Sequence, residues 1–172
     1  SISNTTAVIG NNTITFNALQ DGTYNDIKIK VRDSIPRDST LLTIPEFTID
    51  TVAPVISEKT AVTTPTRDTT PDYTFSSDKE GTITITGATA SPTSVINGDN
   101  TITFNTLTQG TYNNIKIKVT DNAGNISNEL TISPFTIIPP PQIIEAAAVT
   151  TPTNDSTPNY TFNSDSAGTI TI

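Results

Sequence analysis

The feature that most constrains this chain is that it repeats itself out of phase. TITFNALQDGTYNDIKIKV at 13–31 returns as TITFNTLTQGTYNNIKIKV at 101–119, an offset of 88 residues. VTTPTRDTTPDYTFSSDKEGTITI at 62–85 returns as VTTPTNDSTPNYTFNSDSAGTITI at 149–172, an offset of 87. The first pair lies late in the repeat and the second lies early. The 172 residues therefore divide into a late half-repeat (1–50), a complete repeat (51–137) and an early half-repeat (138–172). Only the middle unit can close a core from its own residues.

Within the repeat the apolar residues alternate, which is the strand period. Strands are expected at Val55–Val62, Asp72–Ser77, Thr82–Thr86, Thr101–Leu107, Ile115–Val119 and Leu130–Ile137. Tyr73, Phe75, Ile83, Ile85, Ile102, Phe104, Ile117 and Val119 then share an inner face, with threonines and lysines outside. Thr supplies 36 of the residues, and its branched β-carbon suits the wet face of a strand. The Ala146–Val149 run is too short for a helix, so an all-β chain of antiparallel sandwiches is predicted. The three-residue step from Tyr112 to Ile115 breaks the alternation and predicts a β-bulge at Asn113-Asn114, repeated at Asn25-Asp26. Tyr112 itself reads as a tyrosine corner or a core plug of the sandwich rather than a binding aromatic.

Composition narrows the chemistry. Seventeen carboxylates against nine basic residues give a net charge of -8, which disfavours nucleic acid and anionic membranes as partners. With no His and no Cys, the common nucleophile–base pairs and nitrogen or sulfur metal sites are excluded, and no catalytic constellation stands out. No apolar run approaches the length of a membrane span. The lysines Lys116 and Lys118, with Lys28, Lys30 and Arg32 in the other copy, read as charged guards on a strand's solvent face.

LTQGTYNNIKIKVTDNAGNIS followed by FTI, together with FTIDTVAP at 47–54, resembles the bacterial immunoglobulin-like repeats of large surface adhesins and extracellular appendages. The resemblance spans essentially the whole chain and is most specific at Asp50–Pro54 and Asp121–Asn125. It implies tandem immunoglobulin-like sandwiches in an extracellular rod at the cell surface, in which calcium between consecutive units adds stiffness. The chain departs from the family pattern at DSIPRDS (33–39), where DNAGN is expected, and at IIPPPQ (137–142), where the Asp-Thr-x-Ala-Pro linker is expected.

In such a sandwich the entering linker, the second–third strand loop and the loop before the last strand meet at one pole. There they bring Asp50, Asp78, Asp121 and Asn125 together as a candidate calcium site, with Asp99 a further candidate. Asp33, Asp38 and Asp165 lack their expected partners within the chain. The same Asp and Asn residues also read as plain turn formers.

The expected role is a structural, non-enzymatic spacer in an adhesin or surface filament. The alternatives are a self-assembling filament subunit completed by strands of a neighbouring copy, and a module that binds a cell-surface glycan or protein through its loops. The early half-repeat at one end and the late half-repeat at the other are expected to fit head to tail. Each is completed by the continuation of one long tandem chain, the favoured reading, or by a separate subunit through strand complementation. Either way Phe162, Ile170, Ile14 and Phe16 fall short of contacts in a chain viewed alone.

Overall fold

The computed structural model describes residues 6–172; residues 1–5 of the first expected half-repeat lie outside them. Among the described residues the regular elements are all strands, and no helix occurs. The first segment contains β1 (Gly22–Tyr24), β2 (Lys28–Ile29), β3 (Leu42–Thr43) and β4 (Phe47–Ile49). The middle contains β5 (Ile56–Thr60), β6 (Asp72–Ser77), β7 (Gly81–Thr86), β8 (Ala90–Ser91), β9 (Ser94–Val95) and β10 (Gly98–Phe104). It continues through β11 (Gly110–Tyr112), β12 (Lys116–Asp121), β13 (Leu130–Thr131) and β14 (Phe135–Ile137), and the last segment contains β15 (Ile143–Ala147) and β16 (Thr161–Ser164).

The middle strands build two antiparallel sheets, ordered β5-β6-β10-β8 and β13-β12-β7-β9. Alternation decides which side chains go in. Tyr73, Phe75, Ile102 and Phe104 of one sheet and Ile83, Val95, Ile117 and Val119 of the other belong to one buried cluster, which Val62, Leu107, Ile115, Ile132, Phe135 and Ile137 complete. Each fully buried side chain of this kind contributes roughly 1.5–3 kcal/mol. Ile85, expected inside, is only partly buried, two places before Gly87 turns the chain away with φ +89°. The expected strand at Leu130–Ile137 is two, β13 and β14, and the stretch 88–99 carries β8 and β9.

The expected bulge lies elsewhere. β11 pairs with β14 (Tyr112 opposite Phe135) and β12 with β13 (Lys116 opposite Thr131), so no residue is gained or lost between the two ladders. Ile132 to Phe135 breaks the alternation just as Tyr112 to Ile115 does, and both strands leave the ladder together. The extra residue sits further on, between Leu130 opposite Ile117 and Ile126 opposite Thr120. There the Ser127 hydroxyl oxygen accepts the buried Val119 N–H at 2.9 Å, in place of a ladder carbonyl. Tyr112 is a tyrosine corner: its hydroxyl donates to the Thr108 carbonyl at 2.9 Å and its ring stacks on Phe135. Lys116 and Lys118 lie on β12, inside its sheet, and both pair with Glu129. They guard no edge there.

The outer segments copy the local pairing of the middle. β1–β4 and β2–β3 follow the β11–β14 and β12–β13 registers residue for residue, including the Ser39 hydroxyl on the Val31 N–H at 3.0 Å. β15–β16 follows β5–β6 with its irregularity at the matching place, Glu145/Ala147 against Glu58/Thr60. Burial is not copied. Val31 is 50% exposed where Val119 is fully buried, and Ile170 is 68% exposed where Ile83 is 4% exposed. The named strands of the first segment pair only with one another, as do β15 and β16.

Candidate functional site at the linker pole

The linker that follows β4 is fastened on both sides. Toward the first segment, Thr51 donates its N–H and its hydroxyl to the Asp21 carboxylate at 3.2 and 2.9 Å. Toward the second, Val55 donates its N–H to Asp78 Oδ1 at 2.7 Å and accepts the Asp78 N–H at 3.2 Å. Pro54 is buried at this seam.

Between these fastenings stands Lys79, in the turn from β6 to β7. The Ser77 hydroxyl shapes that turn, donating to the Lys79 carbonyl at 2.6 Å and accepting the Lys79 N–H at 3.3 Å. The ammonium is thereby delivered into a ring of oxygens. It donates to both Asp50 carboxylate oxygens at 2.7 Å, to Asp121 Oδ2 at 3.1 Å and to the Val52 carbonyl. Asp121 closes the turn at the end of β12, with Oδ1 accepting the N–H groups of Ala123 and Asn125 at 3.0 and 2.8 Å. The Asn125 amide nitrogen reaches across to the Asp50 carbonyl at 3.0 Å and to Asp121 Oδ2 at 3.1 Å. Its neighbours are all acceptors, which fixes the orientation of the amide.

The charges tune one another. Burial pushes the Asp121 carboxyl upward, but the Asn125 donors and the Lys79 ammonium outweigh it and hold the group at about 2. Lys79 is raised chiefly by the Asp50 carboxylate, against the opposing effect of burial and with help from Asp121. Both residues are therefore charged across the neutral range.

Of the four residues expected to gather a cation, Asp50, Asp121 and Asn125 do meet. Asp78 serves the Val55 backbone instead, and Asp99 lies apart, 3.6 Å from Lys59. The donor set fits an ammonium and not calcium. Calcium takes six to eight oxygens at about 2.3–2.6 Å, whereas here a lysine nitrogen stands at the centre and Asn125 turns a donor inward. Among the described residues no group of three or more His, Cys, Asp or Glu side chains is arranged to hold a metal ion. Asp33 and Asp38 are engaged by Arg37 and by Lys30 with Arg32, and Asp165 accepts the Gln142 N–H at 2.9 Å.

Sequence reasoning missed Lys79 and Asp21 because it sought oxygen ligands for an external ion. A signal was present. Where the repeat changes Asp50 to Ile138, it also changes Lys79 to Ser166, so the two partners disappear together. Arg37 shows the same economy in the first segment: it stands where Asn125 stands, and its N–H and guanidinium bind Asp33 at 3.1 and 2.9 Å as Asn125 binds Asp121. Compared with family models and with curated protein sequences, the chain matches none.

Proposed function

We propose that the chain is a spacer of an extracellular, cell-surface rod built from tandem immunoglobulin-like sandwiches, with a mechanical rather than a catalytic role. The observation that carries this reading is the Lys79 clasp. One ammonium joins the linker, through Asp50 and Val52, to the turn that ends β12, through Asp121. A linker tied at Thr51 to the preceding segment and at Asp50, Val52 and Val55 to the following one transmits orientation from unit to unit. That is what a rod requires and a flexible tether lacks. The lysine does internally what a divalent ion between units would do. The second junction replaces the clasp with Pro139-Pro140-Pro141, whose fixed φ angles stiffen the chain by another route.

The test is a distance distribution by pulsed electron resonance between labels at Thr40→Cys and Asn128→Cys, in a chain with no native cysteine. A narrow distribution is expected, unchanged by calcium or chelator and broadened by Lys79→Gln. A broad distribution in the otherwise unaltered chain, or one that narrows only with calcium, overturns the reading.

A further inference from the structure

The first and last strands of the middle unit are joined along one seam between its sheets. β5 and β13 are edge strands, one of each sheet. Glu58 stands on β5 at the irregularity that interrupts the β5–β6 ladder, and its carboxylate crosses to the other sheet. One oxygen accepts the Ser133 hydroxyl at 2.6 Å and the other accepts the Ser133 N–H at 2.9 Å. Ser133 lies in the short connection from β13 to β14. Burial pushes the Glu58 carboxyl upward, but hydrogen bonds led by those of Ser133 outweigh it and hold the group below the ordinary carboxylate range. Bonds to a charged acceptor are roughly twice as strong as neutral ones.

A second contact joins the same two arms of the chain. Thr66 pairs with Ile137 in parallel, its N–H donating to the Thr136 carbonyl at 3.0 Å while the Ile138 N–H donates to the Thr66 carbonyl at 2.9 Å. The Thr136 N–H donates to the Thr64 hydroxyl oxygen at 3.0 Å, and Arg67 Nε to the Pro139 carbonyl at 3.3 Å. Parallelism decides how these bonds are loaded. Tension enters the unit at Val55 and leaves it at Ile138, so it draws 64–67 toward its N-terminal side and 136–139 toward its C-terminal side. For parallel segments those directions are opposite along one axis. The bonds are therefore sheared together instead of opening one by one.

The latch is particular to this unit and not a property of the repeat as such. Glu145 keeps the place of Glu58, but Pro45 stands at the place of Ser133 and supplies neither an N–H nor a hydroxyl. We propose that the seam, made of the Glu58–Ser133 latch and the parallel ladder at Thr66, is what holds the middle unit closed against tension along the chain, and that the unit opens when it fails. This rests on the spacer reading, in which tension passes along the chain, and assigns that tension to named bonds.

The test stretches the full chain between handles at its two ends at constant force, with opening of the middle unit recognised by the length of chain released. Glu58→Gln should open at least tenfold faster. Ser133→Ala keeps the N–H and loses the hydroxyl, so its rate should fall between those of Glu58→Gln and the unaltered chain. Ser127→Ala is the reference: it loses a buried hydrogen bond to Val119, away from the seam. It should lower the urea midpoint yet leave the opening rate under force unchanged, because that bond is still intact when the seam fails. Equal acceleration by Ser127→Ala and Glu58→Gln overturns the proposal, as does no acceleration by Glu58→Gln or by Ser133→Ala. The distance distribution across the first junction judges the spacer reading separately. A rigid junction with unaltered opening rates removes the seam alone, and a flexible junction with faster opening removes the spacer alone.

Discussion

Tyr73 and Tyr160 occupy one position of the repeat and stack on Phe75 and Phe162 with ring centroids 6.4 and 6.5 Å apart, but Tyr73 is fully buried and Tyr160 is 55% exposed. The middle unit and the outer segments have nearly the same residues and the same hydrogen-bond registers. They differ in whether a second sheet is present to face. Pairing between strands close in sequence is therefore written into each segment, whereas burial is a property of two segments meeting.

The comparison can be broken most forcefully at its aromatic core. Phe104→Ala should cost about 3–5 kcal/mol in urea unfolding, the range for emptying a buried aromatic site. Phe16→Ala, at the equivalent half-buried place, should leave the cooperative transition of a monomeric chain unmoved. Equal losses would mean that the first segment has a core of its own.

Glycine sharpens the contrast next. Gly81→Ala forces a backbone clash at Thr120 and should cost roughly 1–3 kcal/mol, as overpacking does. Gly168→Ala should be silent in the monomer. A comparable loss at both positions would show that residues 168–172 are already packed.

A smaller difference is expected at the bulge. Ser127→Ala leaves the Val119 N–H without its partner in a buried place, at a cost of about 1–3 kcal/mol. Ser39→Ala exposes the equivalent Val31 N–H to water and should stay within about 0.5 kcal/mol. Thermal or urea midpoints of the two variants measure the gap.

The smallest effect is acid dependence. Asp121 is depressed in the folded chain from its ordinary 3.8 to about 2, so its contribution is present above about pH 4 and is lost as pH falls toward 2. Lys79 is raised, so its contribution is complete below the ordinary lysine range and lost only above it. The midpoint should decline between pH 4 and 2, and Asp121→Asn should flatten that decline. No such decline in the original chain would place Asp121 outside the clasp.

Much of the fold was legible. Alternation placed β6 at Asp72–Ser77 and found seven of eight core residues, and the place of Tyr112 in the repeat left a corner or a core plug, of which the structure shows the corner. The bulge was misplaced because its position depends on two strands at once: the step at Tyr112 is cancelled by a matching step at Phe135, while the uncompensated residue lies beyond Ser127. At the linker pole, the topology expected of such sheets brings Asp50, Asp121 and Asn125 together, while Asp78 accepts the Val55 N–H instead of joining them.

The sequence by itself determined the repeat, the strand period and the local ladders, since hydrogen-bonded hairpins and turns are decided over short separations. It also held the paired loss of Asp50 and Lys79 at the second junction. Only the tertiary structure decided which cation fills the oxygen ring and which copies of the repeat are buried. Both are settled by groups far apart in the chain: Lys79 reaches Asp50 and Asp121 across 29 and 42 residues. The energy of such contacts exists only once the segments that carry them are brought together.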